Sequence, residues 1–162
     1  MASDAALYES DLLAWTEQQA GTLRDAARSG ANLAIDWDNV AEEIEGLGSE
    51  LRHQLGSRIR VIIEHLLKLQ YSKADEPRAG GMNTVERERI AIEALLEESP
   101  SLRRHLDRLI ASEVPRAVRL VRRSFDQHGE ASSAPRLAEL EAAPYTEEQI
   151  LSDWWPEGKP VA

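Results

Sequence analysis

The chain has 162 residues, 42% of them hydrophobic, which is the usual size of one domain with one sizeable core. It contains no cysteine, which excludes disulfide frameworks, thiolate zinc sites and cysteine nucleophiles and favours a reducing compartment, so we expect a cytoplasmic protein. Asp4 stands where a secretory signal needs Lys or Arg, and no apolar stretch approaches the roughly 20 residues of a membrane span, so we expect no membrane partner.

The formal net charge of −10 is unevenly distributed. Residues 1–50 carry two basic and eleven acidic side chains (net −9), residues 51–128 fifteen and eleven (+4), and residues 129–162 two and seven (−5). An acidic protein repels phosphate backbones at long range, so the overall charge argues against general nucleic-acid binding.

Apolar residues recur at helical spacing in nearly every segment, and no alternating β-branched run is bounded by hairpin turns, so almost no strand is expected. The spacing predicts a first helix over about residues 5–28 that stops at Ser29-Gly30. Asp36 is expected to cap a second helix. Gly46 and Gly48 predict a bend or break in it, and the alternative is that the two pieces run on together.

A broad apolar face predicts a central helix over residues 55–71. The next segment, residues 72–83 with Pro77 and two glycines, is expected to be a loop. Thr84 is expected to cap the following helix, which ends at Ser99-Pro100.

The last long helix is expected to kink or divide near Pro115 and to end at His128-Gly129. In the tail, residues 129–162, Thr146 and Gln149 predict a capping box for one short helix. The adjacent Trp154 and Trp155 are expected to pack the tail onto the core, since such side chains bury large areas.

Five motifs stand in order along the chain: Tyr8-Glu9-Ser10-Asp11 with Trp15, Asp36–Leu47 (DWDNVAEEIEGL), Ile63–Tyr71 (IEHLLKLQY), Ser99-Pro100-Ser101-Leu102, and Pro144-Tyr145-Thr146. This set resembles the domain of unknown function 29 family, over roughly residues 8–155. The resemblance implies a helical, bacterial protein and brings no established activity. It also implies that the polar positions inside these motifs point to a site: Asp11, Asn39, Glu42, Glu43, His65 and Lys68.

Asp11, Glu43 and His65 lie on three predicted helices and form the candidate site, with Asn39 and Lys68 beside them. Carboxylate and imidazole are the ligand types of divalent metal sites in helical bundles, so these three residues are a candidate metal set. The alternative, which we favour, is a buried network in which His65 hydrogen-bonds to a carboxylate and fixes the helix register without a metal.

A basic strip along the last long helix is the second candidate site. It could bind phosphates or an acidic protein surface. No aromatic residues interleave with the strip, and pairing with the acidic N-terminal helices of the same chain or of another copy is the reading we favour. Its members are Arg103, Arg104, Arg108, Arg116, Arg119, Arg122 and Arg123.

The sequence therefore predicts an all-α bundle of four to six helices in a single domain over residues 1–162, with a core over about 5–128. The leading functional hypothesis is a non-enzymatic interaction or regulatory protein with a protein partner, which includes a second copy in a homodimer. A small metal-dependent enzyme is the alternative, and nucleic-acid binding through the arginine strip is the third. The sequence leaves open whether the chain is an enzyme.

Overall fold

A computed structural model describes residues 4–30, 33–72, 78–130 and 145–157. Every regular element in these ranges is helical, which confirms the all-α class. The elements are α1 (Asp4–Ser10), α2 (Leu12–Arg28), α3 (Trp37–Tyr71), α4 (Arg78–Glu98), the 3₁₀ helix η1 (Pro100–His105), α5 (Leu106–Gln127) and α6 (Glu147–Leu151). None of the helices in these ranges combines the length and the apolar character that crossing a membrane requires.

The chain divides into two compact units. Unit 1 comprises Met1–Gln54 and Ala94–His105, and unit 2 comprises Leu55–Glu93 and Leu106–Ala162. The single domain over residues 1–162 stays a prediction.

Unit 1 begins with two short helices rather than the one that the sequence predicted over residues 5–28. Asp11 separates the two helices, because its backbone is not helical (φ −161°, ψ 88°). Its carboxylate accepts the backbone N–H of Ala14 at 3.0 Å, so Asp11 is the N-cap of α2. The Tyr8 and Trp15 rings meet edge to face across this break, 5.0 Å apart. The predicted stop is confirmed, because α2 ends at Arg28 and Gly30 has a φ of +72° that favours glycine.

The break predicted at Gly46 and Gly48 is wrong, since α3 is one helix from Trp37 to Tyr71, and the bend stays a prediction. Gly48 is buried, and a Cβ built on it would lie 2.6 Å from Thr16 Oγ1 and 3.0 Å from Leu13 Cδ1 of α2. Glycine therefore lets two helices approach closely here instead of breaking one of them. The buried apolar side chains of unit 1 include Leu13, Ala20, Ala41, Leu96 and Leu102.

Unit 2 has a larger core, drawn from α3, α4, α5 and α6. Its buried side chains include Leu55, Ile59, Ile62, Ile63, Leu66, Leu67, Val85, Ile92, Val114, Val118, Val121, Phe125 and Ile150. The loop predicted over residues 72–83 is wrong from Arg78 onward, because α4 already begins there, and residues 73–77 lie outside the described part of the chain. Thr84 is consequently inside the helix, and its hydroxyl donates to the Gly80 carbonyl rather than capping an N-terminus.

The C-terminal half follows the sequence signals more closely. Pro100 opens η1, and α5 runs undivided through Pro115 to Gln127, where Gly129 has a φ of +73°. Pro115 is exposed and lies inside this helix, so the predicted division there is wrong, and the kink stays a prediction. The capping box at Thr146 and Gln149 is confirmed, with both reciprocal hydrogen bonds present.

Candidate functional site

The most distinctive surface of unit 1 is an exposed stripe on α3 formed by Val40, Glu43, Leu47 and Glu50, called here the α3 stripe. Leu47 is 53% exposed and Val40 is 39% exposed. Eight large apolar side chains are exposed among the described residues, and four of them lie within residues 33–47. This clustering matters because single exposed apolar side chains are ordinary, whereas a local group of them is typical of a binding surface.

The helical repeat explains why the α3 stripe faces outward. Its four residues are spaced i, i+3, i+7 and i+10, so they share one face of the helix. The neighbouring face carries Ala41 and Gly48, which are buried, and Gly48 is held against Thr16 of α2. Small residues thus make the packed face of this segment, and larger apolar residues remain outside.

Electrostatics distinguish the α3 stripe from the acidic residue beside it. Glu45 forms a bidentate pair with Arg24, of which one bond, Nη2 to Oε2, is 2.8 Å long. Hydrogen bonding to Arg24 lowers the pKa of Glu45, and the same bond raises the pKa of Arg24. Within the part of the chain that the structure describes, Glu43 and Glu50 have no ion pair or hydrogen bond. The α3 stripe therefore presents two uncompensated carboxylates around an apolar centre.

A polar cleft of about 460 Å³ adjoins this face in unit 1, lined by Thr16, Glu17, Glu45, Gly46, Gly48, Ser49 and Arg52. Its carboxylates already face guanidinium groups. Glu17 pairs with Arg104 of η1 and lies 3.7 Å from Arg52, while Glu45 binds Arg24. We find no free charged group in the cleft that would define a ligand.

Asp11, the first of the predicted site residues, connects two helix starts in unit 1. Besides capping Ala14, its carboxylate accepts the backbone N–H and the hydroxyl of Ser101, each at 2.8 Å. Four orphan N–H groups at each helix N-terminus need such partners. Asp11 thus holds the starts of α2 and η1 together across 90 residues of sequence.

Asn39 and Lys68 make local interactions. The Asn39 backbone and side-chain amides donate to the Asp36 carboxylate at 3.3 and 2.6 Å, which agrees with the predicted cap at the start of α3. Lys68 donates to Glu64 one helical turn away at 2.7 Å. Both side chains therefore form their hydrogen bonds within α3 and its N-terminal cap.

His65 lies in unit 2, half-buried on α3 next to Gly81 of α4, where a Cβ would stand 3.5 Å from its Nδ1. Desolvation by burial lowers the pKa of His65, and the positive charge of Lys68 lowers it further. Across residues 4–30, 33–72, 78–130 and 145–157, no group of three or more His, Asp or Glu side chains is arranged to hold a metal ion. Metal binding by Asp11, Glu43 and His65 stays a prediction.

The arginine strip divides between the units. Arg104 belongs to unit 1 and pairs with Glu17. The members on α5 fall within about 120° of the helix circumference at 3.6 residues per turn. Arg116 pairs with Glu113, and Arg108, Arg119 and Arg123 have no ion pair among the described residues. The α5 members are Arg108, Arg116, Arg119, Arg122 and Arg123.

Sequence reasoning missed Arg89, the most heavily used polar side chain of unit 2. It is 7% exposed and donates to the carbonyls of Ile150, Gln149 and Trp154 at 3.0, 3.1 and 2.7 Å. Its guanidinium carbon also lies 4.8 Å from the centre of the Trp155 ring. Burial lowers the pKa of Arg89, and the carbonyl dipoles at the end of α6 stabilise its charge. Arg89 holds the described C-terminal segment against α4.

These features define an all-α protein in which several charged side chains cap a helix or pair with a neighbouring residue. Residues 7–155 match the family described as Domain of unknown function DUF29, and the chain belongs to that family. The chain is also similar to the crystal structure of an α-helical protein of unknown function from Rhodospirillum rubrum, with 25% identity and a TM-score of 0.62. That similarity covers 90% of this chain and 89% of the other. No curated protein matches the chain.

Proposed function

We propose that this protein is a non-enzymatic interaction protein that binds a protein partner through the α3 stripe. The observation that carries the proposal is the combination of an exposed leucine and valine with two carboxylates that have no partner in the described part of the chain. When a partner covers exposed apolar area of this kind, the complex gains about 25 cal/mol of free energy for each Å² removed from water.

The charge of the stripe specifies the chemistry of the partner. Glu43 and Glu50 lie seven residues apart on either side of Leu47. A helix that presents basic side chains around an apolar residue matches this arrangement in both charge and shape. We therefore propose a basic amphipathic helix as the bound element. We place this binding in the bacterial cytoplasm, because a chain without cysteine is compatible with a reducing compartment.

Site-specific photo-crosslinking in cells that make the protein naturally tests the proposal. A photoreactive residue at position 47 is expected to crosslink a peptide rich in Lys and Arg, and a matched residue at the exposed Glu97 of α4 is not. The crosslink at 47 should disappear in the Glu43→Arg/Glu50→Arg variant. Equal crosslinking from both positions, or a crosslinked peptide without basic residues, would contradict the proposal.

The two alternatives keep separate tests. Elemental analysis of the tag-free protein, with His65→Ala as the control, tests the metal-dependent enzyme through stoichiometric metal that the variant loses. Binding that falls steeply with salt concentration tests nucleic-acid recognition by the α5 arginines. Neither alternative has an observation that favours it over partner binding.

A further inference from the structure

We infer that the partner of the α3 stripe is a second copy of this chain, which presents Arg116, Leu120 and Arg123 of α5. This inference rests on the proposed function, because it names the basic helix that the α3 stripe binds. The set Arg116, Leu120 and Arg123 is called here the α5 triplet.

The α3 stripe and the α5 triplet have the same spacing of charged and apolar residues. In the α3 stripe, Glu43, Leu47 and Glu50 are related by steps of four and three residues. The α5 triplet repeats these steps, with a leucine again between two charged residues. Each set therefore lies on one helix face and spans seven residues, or about 10.5 Å at 1.5 Å per residue.

The central leucines of both sets are exposed. Leu47 is 53% exposed and Leu120 is 43% exposed. When the two helices align in parallel, leucine meets leucine, and each glutamate of one copy faces an arginine of the other. The contact thus buries apolar area at its centre and pairs charges at its rim, which is the usual anatomy of a protein interface.

The charges of the two sets are complementary. Glu113 is 5% exposed and is shared by Arg116 and by Arg60, whose Nη1 lies 3.3 Å from it, so this group of three keeps a net positive charge. Arg123 has no ion pair in the described part of the chain, and neither has Arg119 beside it. The α5 triplet therefore keeps a net positive charge to face the carboxylates of Glu43 and Glu50, which have no partner among the described residues.

Reciprocal charge reversal provides the decisive experiment. One variant, Glu43→Arg/Glu50→Arg, makes both patches basic, and the other, Arg116→Glu/Arg123→Glu, makes both patches acidic. Sedimentation velocity over a range of concentrations measures the mass relative to the 18.1 kDa chain. We expect the natural chain to self-associate, and each variant alone to weaken self-association by at least about tenfold in Kd, since tenfold corresponds to only 1.4 kcal/mol.

An equimolar mixture of the two variants is expected to associate again, because each patch then meets one of opposite charge. Matched controls change the charge equally at exposed positions that belong to neither patch: Glu97→Arg/Glu98→Arg and Arg28→Glu/Arg87→Glu. These should associate like the natural chain. Circular dichroism of every variant checks that the helices are intact. Leu120→Gln should also weaken self-association, and it leaves the charges around Glu113 unchanged.

A natural chain that stays monomeric at every concentration would overturn the inference, and so would a mixture of variants that does not associate. The failure of the proposed function is distinguishable. If the chain is monomeric but position 47 still crosslinks a basic helix of another protein, only the second copy is excluded as the partner. If position 47 crosslinks nothing, the proposed function fails as well.

Discussion

Replacing Asp11 with alanine removes three hydrogen bonds at once, which makes it the most informative single substitution in unit 1. The lost N-cap to Ala14 costs about 1 kcal/mol. The two bonds from Ser101 go to a charged acceptor, for which about 1.5–3 kcal/mol each is typical. Asp11 and Ser101 are half-buried, so water replaces part of what is lost, and we expect the free energy of unfolding to fall by about 2–4 kcal/mol.

Urea unfolding followed by circular dichroism and tryptophan fluorescence measures this change. Asp11→Asn keeps one carbonyl acceptor and should cost less than half as much, and Ser101→Ala should cost about 1 kcal/mol. The double variant Asp11→Ala/Ser101→Ala should destabilise by less than the sum of the single changes, because both remove the same contact.

A loss below about 0.5 kcal/mol for Asp11→Ala would refute the capping role, since that is the range of surface substitutions with no special contact. A metal-binding role makes a different prediction: chelator would then destabilise the natural chain and abolish its difference from Asp11→Ala. The capping role predicts that chelator changes neither protein.

Three further predictions concern residues that the structure places in definite environments. Gly48→Ala should lower the free energy of unfolding by about 1–2 kcal/mol, because its Cβ would meet Thr16 at 2.6 Å. Gly46→Ala, whose Cβ has nothing within 4 Å, should raise it by about 0.5–1 kcal/mol. The midpoints of urea unfolding curves compare the two variants. Arg89→Met should cost about 3 kcal/mol and expose the tryptophans of the C-terminal segment to a fluorescence quencher, and Arg89→Lys should not rescue it because a lysine cannot reach three carbonyls. The pKa of His65 in the folded chain lies below the ordinary 6.5, so the unfolded chain binds more protons and the free energy of unfolding should fall as the pH drops through 6.5. Urea unfolding curves between pH 7 and 5 measure this dependence, and His65→Gln should make it weaker.

The helix ends at Gly30 and Gly129 and the capping box at Thr146 could be predicted because each rests on local chemistry: a left-handed glycine or a reciprocal pair of hydrogen bonds within four residues. The continuity of α3 through Gly48 was only one of two alternatives that the sequence allowed. A glycine that breaks a helix and a glycine that admits a neighbouring helix look alike in sequence, and only the contact with Thr16 of α2 separates them.

The role of Asp11 depends on Ser101, and no periodic signal relates two residues that lie 90 positions apart. Its carboxylate suggested a metal ligand, and the same carboxylate accepts the hydrogen bonds that make it a cap. Arg89, in contrast, left a readable signal. It occupies the apolar stripe of α4 with Val85 and Ile92, at steps of four and three residues, so an arginine at a core position could have been recognised and its partners sought among carbonyl groups.

The apolar residues of the α3 stripe are left exposed because smaller residues form the packed face of this part of α3. The sequence of α3 offers more apolar positions than one packed face uses, and the structure assigns that face to Ala41 and Gly48. Close helix approach through small residues needs no large side chain, so Val40 and Leu47 contribute little to the stability of unit 1. Substituting Leu47 with a polar residue should therefore leave the stability of the isolated chain nearly unchanged while weakening binding, a separation that a purely structural leucine would not allow.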